Sequence, residues 1–427
     1  MPYRALTFIT LVYLSAIGMT WGQASLTDSE AFYQNSMNVP PLIAANTNIN
    51  VNSCNPREPA NSHAYLSSAE VNYNQPSWTQ RVAANREWFS NTNNLGRLLV
   101  IDYATKDEST LAFRYLSNGR EHELYEPWSS SKIFAYTGAV AKLREQGIGA
   151  TGSIGNVSIA DLITSINSYE PTGNAPGDSN AIATFFANIA GRNFLTELFH
   201  ERWLLLENPA IQFRGAYGSH AFIPPKEQWR YGNNAVSLAP YLNATEDPGY
   251  QTYRCEDCGL TGNKAMSALA QAEWLKRLAT HARVSTTRHP RLEQEDINIL
   301  FYGADGLGGM MAGISRMMAD AIAQAIEPIN TGESKNVLDS ATQGQWRIFQ
   351  KIGWGPSETR RAGEVVMLAH VCLPYYQGGR EFTLAAQTAQ SGNGELFVGY
   401  AGIKMQHLLN RSMRKLLAMD EVLEKTH

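Results

Sequence analysis

Glu126-Pro127-Trp128-Ser129-Ser130-Ser131-Lys132-Ile133-Phe134 is the stretch around which this chain is organised. It reads Ser-x-x-Lys at the mouth of a helix that runs from Ser130 to about Gln146, with Gly147 as its C-cap. Ile133, Tyr136, Val140 and Leu143 recur at helical spacing and imply one buried face. Ser129 and Lys132 share a face, so the amine can reach the hydroxyl and help remove its proton, as a serine nucleophile requires. The helix start adds orphan backbone N–H groups and a positive dipole end, suited to a developing oxyanion. The same pattern also describes an ordinary N-capped helix. A second copy, Ser412-Met413-Arg414-Lys415, lies in a polar C-terminal helix with no chemistry around it. What surrounds Ser129 decides between these readings.

Upstream, Arg81 to Phe89 reads as a short helix. Gly96 to Tyr103 reads as a strand, Lys106 to Ser109 as a turn and Thr110 to Tyr115 as the returning strand. Downstream come a helix over 157–169, a Pro/Gly loop, and a capped apolar helix from Asp178 to Gly191. Residues 200–262 are irregular and rich in aromatics and prolines. Helices follow over 264–283 and, rich in Gly and Met, over 306–327. Three strands then close the pattern, Trp346–Gly355, Val365–Pro374 and Arg380–Gln390, before a last helix from Ile403 to Met419. Strands at both ends with helices between predict an α+β fold, one antiparallel sheet built from both chain ends and carrying an inserted helical lobe over about 129–340.

Residues 1–24 read as a signal peptide: Arg4, an apolar run from Ala5 to Met19, and Gly22-Gln23-Ala24 as the cleavage site. An Asn/Pro-rich segment over 25–85 leads into the main domain, 86–427. The 427 residues carry a net charge of −4 and no basic run, which argues against nucleic acid. After leader removal no stretch is long and apolar enough to span a bilayer. Export permits disulfides, and the four cysteines allow three full pairings; Cys255-Glu256-Asp257-Cys258, in a turn-rich segment, reads as a local disulfide. The nine histidines form no metal-binding arrangement, so neither metal nor cofactor is implied. The one Gly-x-Gly-x-x-Gly, Gly147 to Gly152, follows a helix where a dinucleotide site needs a strand.

Ser129-x-x-Lys132, then an Asn180 motif opening a helix, then Lys351-x-Gly353 on a late strand, resemble in order and spacing the penicillin-recognising serine hydrolases, the superfamily of class A β-lactamases and DD-peptidases. The likeness covers roughly residues 95–420. It implies that Ser129 forms an acyl-enzyme and that Lys132 activates it. It places an oxyanion hole at the N–H of Ser129 and that of Trp354, or of Gly355 if the strand is shifted by one. Lys351, with Arg361 or its substitute Arg360, would attract a substrate carboxylate. Three departures accompany it. The middle motif reads Asp178-Ser179-Asn180, which puts Asp178 in the register of a proton-relaying serine and Ser179 one residue late; Ser165-Ile166-Asn167 is a second candidate. Ile352 replaces a hydroxyl-bearing residue. In Ala239-Pro240-Tyr241-Leu242-Asn243, alanine stands where the resemblance expects a deacylating glutamate.

Two functions follow. The first is an exported serine hydrolase acting on a small-molecule or peptidoglycan-like amide or ester, including slowly released β-lactams. The second is an impaired relative that binds peptidoglycan or a protein through the same cleft. A secreted, periplasmic location fits both.

Overall fold

In β1 (Gly96–Lys106), Leu98 and Val100 point to one face, Leu99, Ile101 and Tyr103 to the other, and all five are buried. β4 (Ala362–Leu373) repeats the pattern, with Val365, Met367, Ala369 and Val371 on one face and Val366 and Leu368 on the other. A period-two alternation that is apolar in both phases marks strands covered on both faces. With β2 (Thr110–Ser117), β3 (Arg347–Ser357) and β5 (Arg380–Ser391), these strands form an antiparallel sheet in the order β2-β1-β5-β4-β3. β5 joins the two chain ends by pairing with β1, for example Leu384 opposite Val100. The computed structural model describes residues 28–47, 54–59, 61–106, 109–251, 253–255, 260–262, 264–329 and 332–418. It has the sheet from both ends and the helices between that the sequence predicts.

One face of the sheet packs on the helical lobe. That lobe contains α1 (Lys132–Arg144), α2 (Ile159–Ser168), α3 (Ser179–Ala190) and α4 (Ala268–Ala279). The other face packs on α5 (Met317–Ile326) and α6 (Glu395–Leu416). β3 lies at one edge. The far edge is covered by the short strands Leu66–Ser67 and Ala84–Asn85, which both pair with β2.

Several local expectations change. Arg81 to Phe89 forms no helix; backbone there turns and pairs through Ala84 and Asn85 with β2, because the sheet offers its edge bonds to this segment. The 306–327 helix shrinks to a 3₁₀ turn, Gly309–Ala312, followed by α5. Gly309 has φ +56° and Ser315 φ +108°, both incompatible with a continuous helix. The 264–283 helix starts late, because Lys264 and Ala265 pair with Phe213 and Gln212 as a short strand. Residues 1–24 and Cys258 lie outside the described residues, and with them the leader and the Cys255–Cys258 pairing.

A disulfide joins Cys54 to Cys372 on β4, across 318 residues of sequence. It ties the N-terminal segment to the end of β4, one strand in from the β3 edge. Closing so long a loop restricts the unfolded chain, and removing such a bond costs about 2–5 kcal/mol. A Cys54→Ala/Cys372→Ala double variant is expected to lose stability in that range in urea unfolding. An unchanged midpoint would show that the bond contributes nothing to the folded state.

Candidate functional site

The turn Trp128–Ser131 is a 3₁₀ segment that feeds α1, and Trp128 enters it at φ +50°. That backbone costs a bulky residue about 1–2 kcal/mol. Trp128 is held there by its indole Nε1–H, 2.8 Å from Glu364 Oε2, which also pairs with Arg360 Nε via its Oε1 at 2.7 Å. The indole covers Gly355, where any side chain would collide with the ring.

Three serines follow in a row, and their surroundings separate them. Ser130 Oγ donates to Pro127 O at 2.6 Å and accepts from Gln271 Nε2 at 2.8 Å. Ser131 Oγ donates to Trp128 O at 2.7 Å and lies 3.0 Å from the Tyr217 hydroxyl. Both are buried. Ser129 is only half-buried, and its hydroxyl faces the phenol of Tyr169.

One turn on, Lys132 is fully buried and donates to Ser179 Oγ at 2.9 Å and Asn180 Oδ1 at 2.7 Å. Burial lowers its amine to about 7, the Lys264 charge pushes the same way, and Asp178 opposes them. From the strand side, buried Lys351 donates to Ile166 O at 2.9 Å, and burial followed by the Lys132 charge holds it well below the usual lysine range. Tyr169 stands between the two amines: Lys132 Nζ is 4.9 Å and Lys351 Nζ 4.0 Å from its ring centroid. Burial pushes its phenol up to about 12; contact with the Ser129 hydroxyl opposes this. Ser179 Oγ completes the cluster by donating to Ile166 O at 2.7 Å.

β3 brings its glycine hard against this turn. A Cβ on Gly353 would stand 2.6 Å from Ser130 N and 2.7 Å from Pro127 O and Ser129 N. Only glycine allows strand and turn to meet at that distance. Next to it, the half-exposed Trp354 packs between Tyr33, 5.6 Å away edge-on, and Tyr169, stacked at 5.9 Å.

The structure thus gathers Ser129, Lys132, Ser179, Asn180, Lys351, Gly353 and Trp354, with Gly355 beneath Trp128. Asp178 stays outside the cluster. Its carboxylate caps α3 by accepting from Ala181 N at 2.9 Å and pairs outward with His220 at 3.0 Å, so Ser179 faces inward in its stead. Arg361 sits in the exposed β3–β4 turn at φ +50°, and Arg360 is engaged with Glu364. Ser165 and Asn167 bond carbonyls nearby, Pro176 O and Ile163 O, and that motif contributes only the Ile166 carbonyl. In the second Ser-x-x-Lys, Ser412 bonds Leu408 O and Lys415 bonds Trp88 O.

Sequence reasoning missed Tyr169 and Lys264. Tyr169 ends α2 in the left-handed conformation at φ +61°, and an aromatic just before Glu170-Pro171 carries no motif that marks it. Lys264 lies behind Lys132: its Nζ is 4.0 Å and that of Lys132 5.6 Å from the Tyr217 ring. Burial lowers it to about 8, against the attraction of Glu126. The 239–243 segment lies over the end of α3, with Tyr241 N donating to Asn188 O at 3.0 Å.

No family model matches the chain, and no curated protein matches it. Solved structures do. The chain is similar in fold to the class A β-lactamase reconstructed as the last common ancestor of Gram-negative bacteria, GNCA4, at 12% identity and TM-score 0.43 over 80% of this chain and 100% of that one. PBP-A, solved as an acyl-enzyme complex with penicillin G, is similar at 10% identity and TM-score 0.40 over 80% and 98%. A class D β-lactamase from Sebaldella termitidis is similar at 10% identity and TM-score 0.39 over 79% of this chain and 98% of its own length.

Proposed function

We propose that this chain is a serine hydrolase that forms an acyl-enzyme at Ser129 with an ester or amide substrate. One observation carries the reading: a half-buried serine hydroxyl against Tyr169, which leads to the buried Lys132, Ser179 and Lys351. Neutral Lys132 takes the Ser129 proton, relayed by the Tyr169 and then the Ser179 hydroxyl, as Oγ bonds to the substrate carbonyl carbon. The N–H groups of Ser129 and Trp354 receive the oxyanion. The leaving alcohol or amine takes the proton back as its bond to carbon breaks. Water then cleaves the acyl ester and restores Ser129. Lys132 bonds Ser179 and Asn180 rather than a carboxylate, and Ala239 stands where the resemblance expects a deacylating glutamate, so the acyl-enzyme is expected to be released slowly.

The disulfide supports an oxidising, extracytoplasmic location, periplasmic in a Gram-negative host. Among the described residues no helix is long and apolar enough to cross a membrane.

The test is intact-protein mass spectrometry after exposure to penicillin G and to p-nitrophenyl acetate. Wild type is expected to carry an acyl adduct that Ser129→Ala does not. An adduct retained by Ser129→Ala, or none on wild type with either compound, would overturn the proposal and leave the cleft as a binding surface.

A further inference from the structure

We propose that the cleft beside Ser129 takes an uncharged, aromatic acyl group, seated against the Trp354 and Tyr169 rings; this rests on Ser129 being the nucleophile. Two independent features point to it.

The first is the wall. Tyr169 meets the Ser129 hydroxyl, Trp354 stacks on Tyr169, Tyr33 from the N-terminal segment extends the row, and Trp128, next to Ser129 in the chain, packs over Gly355. All four are only partly buried, so ring surface remains at the mouth. Aromatic side chains select other rings by offset or edge-on contact as well as by area.

The second is the charge around it. Lys132 is engaged by Ser179 and Asn180, Lys351 by Ile166 O and the Tyr169 ring, and Arg360 by Glu364. Ile352 is wholly buried and presents no polar group to a substrate. Lys264 is likewise taken up, by the charge of buried Glu126 and by the Tyr217 ring, so beneath the Trp128 turn Glu126 and Glu364 each already hold a cation. A substrate carboxylate entering here would lose its water and displace an existing pair to find a cation. A neutral ring faces neither cost.

The experiment compares kcat/KM for p-nitrophenyl phenylacetate, p-nitrophenyl acetate and mono-p-nitrophenyl succinate, with Ser129→Ala as background. The phenylacetate ester is expected to exceed each of the other two by about tenfold, the ratio that one ring contact with its burial sustains. Trp354→Ala is expected to bring the phenylacetate-to-acetate ratio close to one, and Trp354→Phe to restore it. Should Trp354→Ala not fold, Tyr33→Ala, on the outer end of the wall, is expected to reduce the same ratio. Ser129-dependent turnover with acetate or succinate preferred would overturn the substrate class and leave the nucleophile standing. No Ser129-dependent turnover of any ester would overturn both.

Discussion

Lys132→Met is expected to slow acylation of Ser129 by about 10²–10⁴-fold, the range a positioned general base contributes. The side chain sits where methionine fits: no part of it is exposed, and its stem lies within the α1–α3 packing. What the change removes is the amine that bonds Ser179 Oγ and Asn180 Oδ1. Asn180 then keeps an acceptor without its donor, a cost of about 1–3 kcal/mol, offset in part because no ammonium is any longer held out of water. The pH dependence distinguishes this from mere loosening. With Lys132 lowered to about 7, the wild-type acylation rate should climb as pH rises through that value, since only the neutral amine accepts a proton. In Lys132→Met that limb should vanish. Stability should respond in the same direction. The folded amine gives up its proton near 7 and the unfolded one near lysine's ordinary 10.5, so between those values the unfolded chain binds more protons and stability rises with pH. The variant should show a shallower rise in thermal midpoint over that window. An acylation rate within threefold of wild type, with the pH limb intact, would remove Lys132 from the mechanism.

Gly353→Ala is expected to be nearly as damaging to activity, from the opposite side of the cleft. The added carbon would meet backbone at 2.6–2.7 Å, from Pro127, Ser129 and Ser130 together. Backbone cannot swing aside as a long side chain does, so β3 or the turn must withdraw. Overpacking of this kind costs about 1–3 kcal/mol. On the proposed reading, moving Ser129 by about 1 Å from the Trp354 N–H costs about 10²-fold in rate. Paired measurements of thermal midpoint and acylation rate check both halves. A variant that is destabilised yet acylates normally would show that the close contact of β3 with the turn is structural only.

The sheet was legible because its evidence is local and repeated. Short apolar runs over 96–103 and 365–374, and glycines where a strand ends, need no knowledge of neighbours. The Ser129, Lys132, Asn180 and Lys351 positions were legible because their order and spacing are written along the chain. Tyr169 was not, because its role comes from a single left-handed cap and from two lysines, one thirty-seven residues before it and the other far after. The choice between Asp178 and Ser179 turned on which side chain caps α3, a matter of one backbone angle. The 306–327 stretch failed for a related reason: its Met and Ala residues favour helix, and a few backbone positions at positive φ override them. Cys54 and Cys372 were two of four cysteines whose partners no spacing rule can assign.

β5 sits at the centre of the sheet, yet among the five strands it is the last to be made. A nascent chain that has delivered β1, β2 and the whole helical lobe still holds a β1 with one side unpaired and one apolar face bare, waiting for residues beyond 379 to leave the ribosome. The lobe can condense early on its own helices, but the surface that carries Ser129 cannot close until β3 and β5 arrive together as one hairpin array. During that interval the open edge and bare face are the part of the chain most exposed to wrong association.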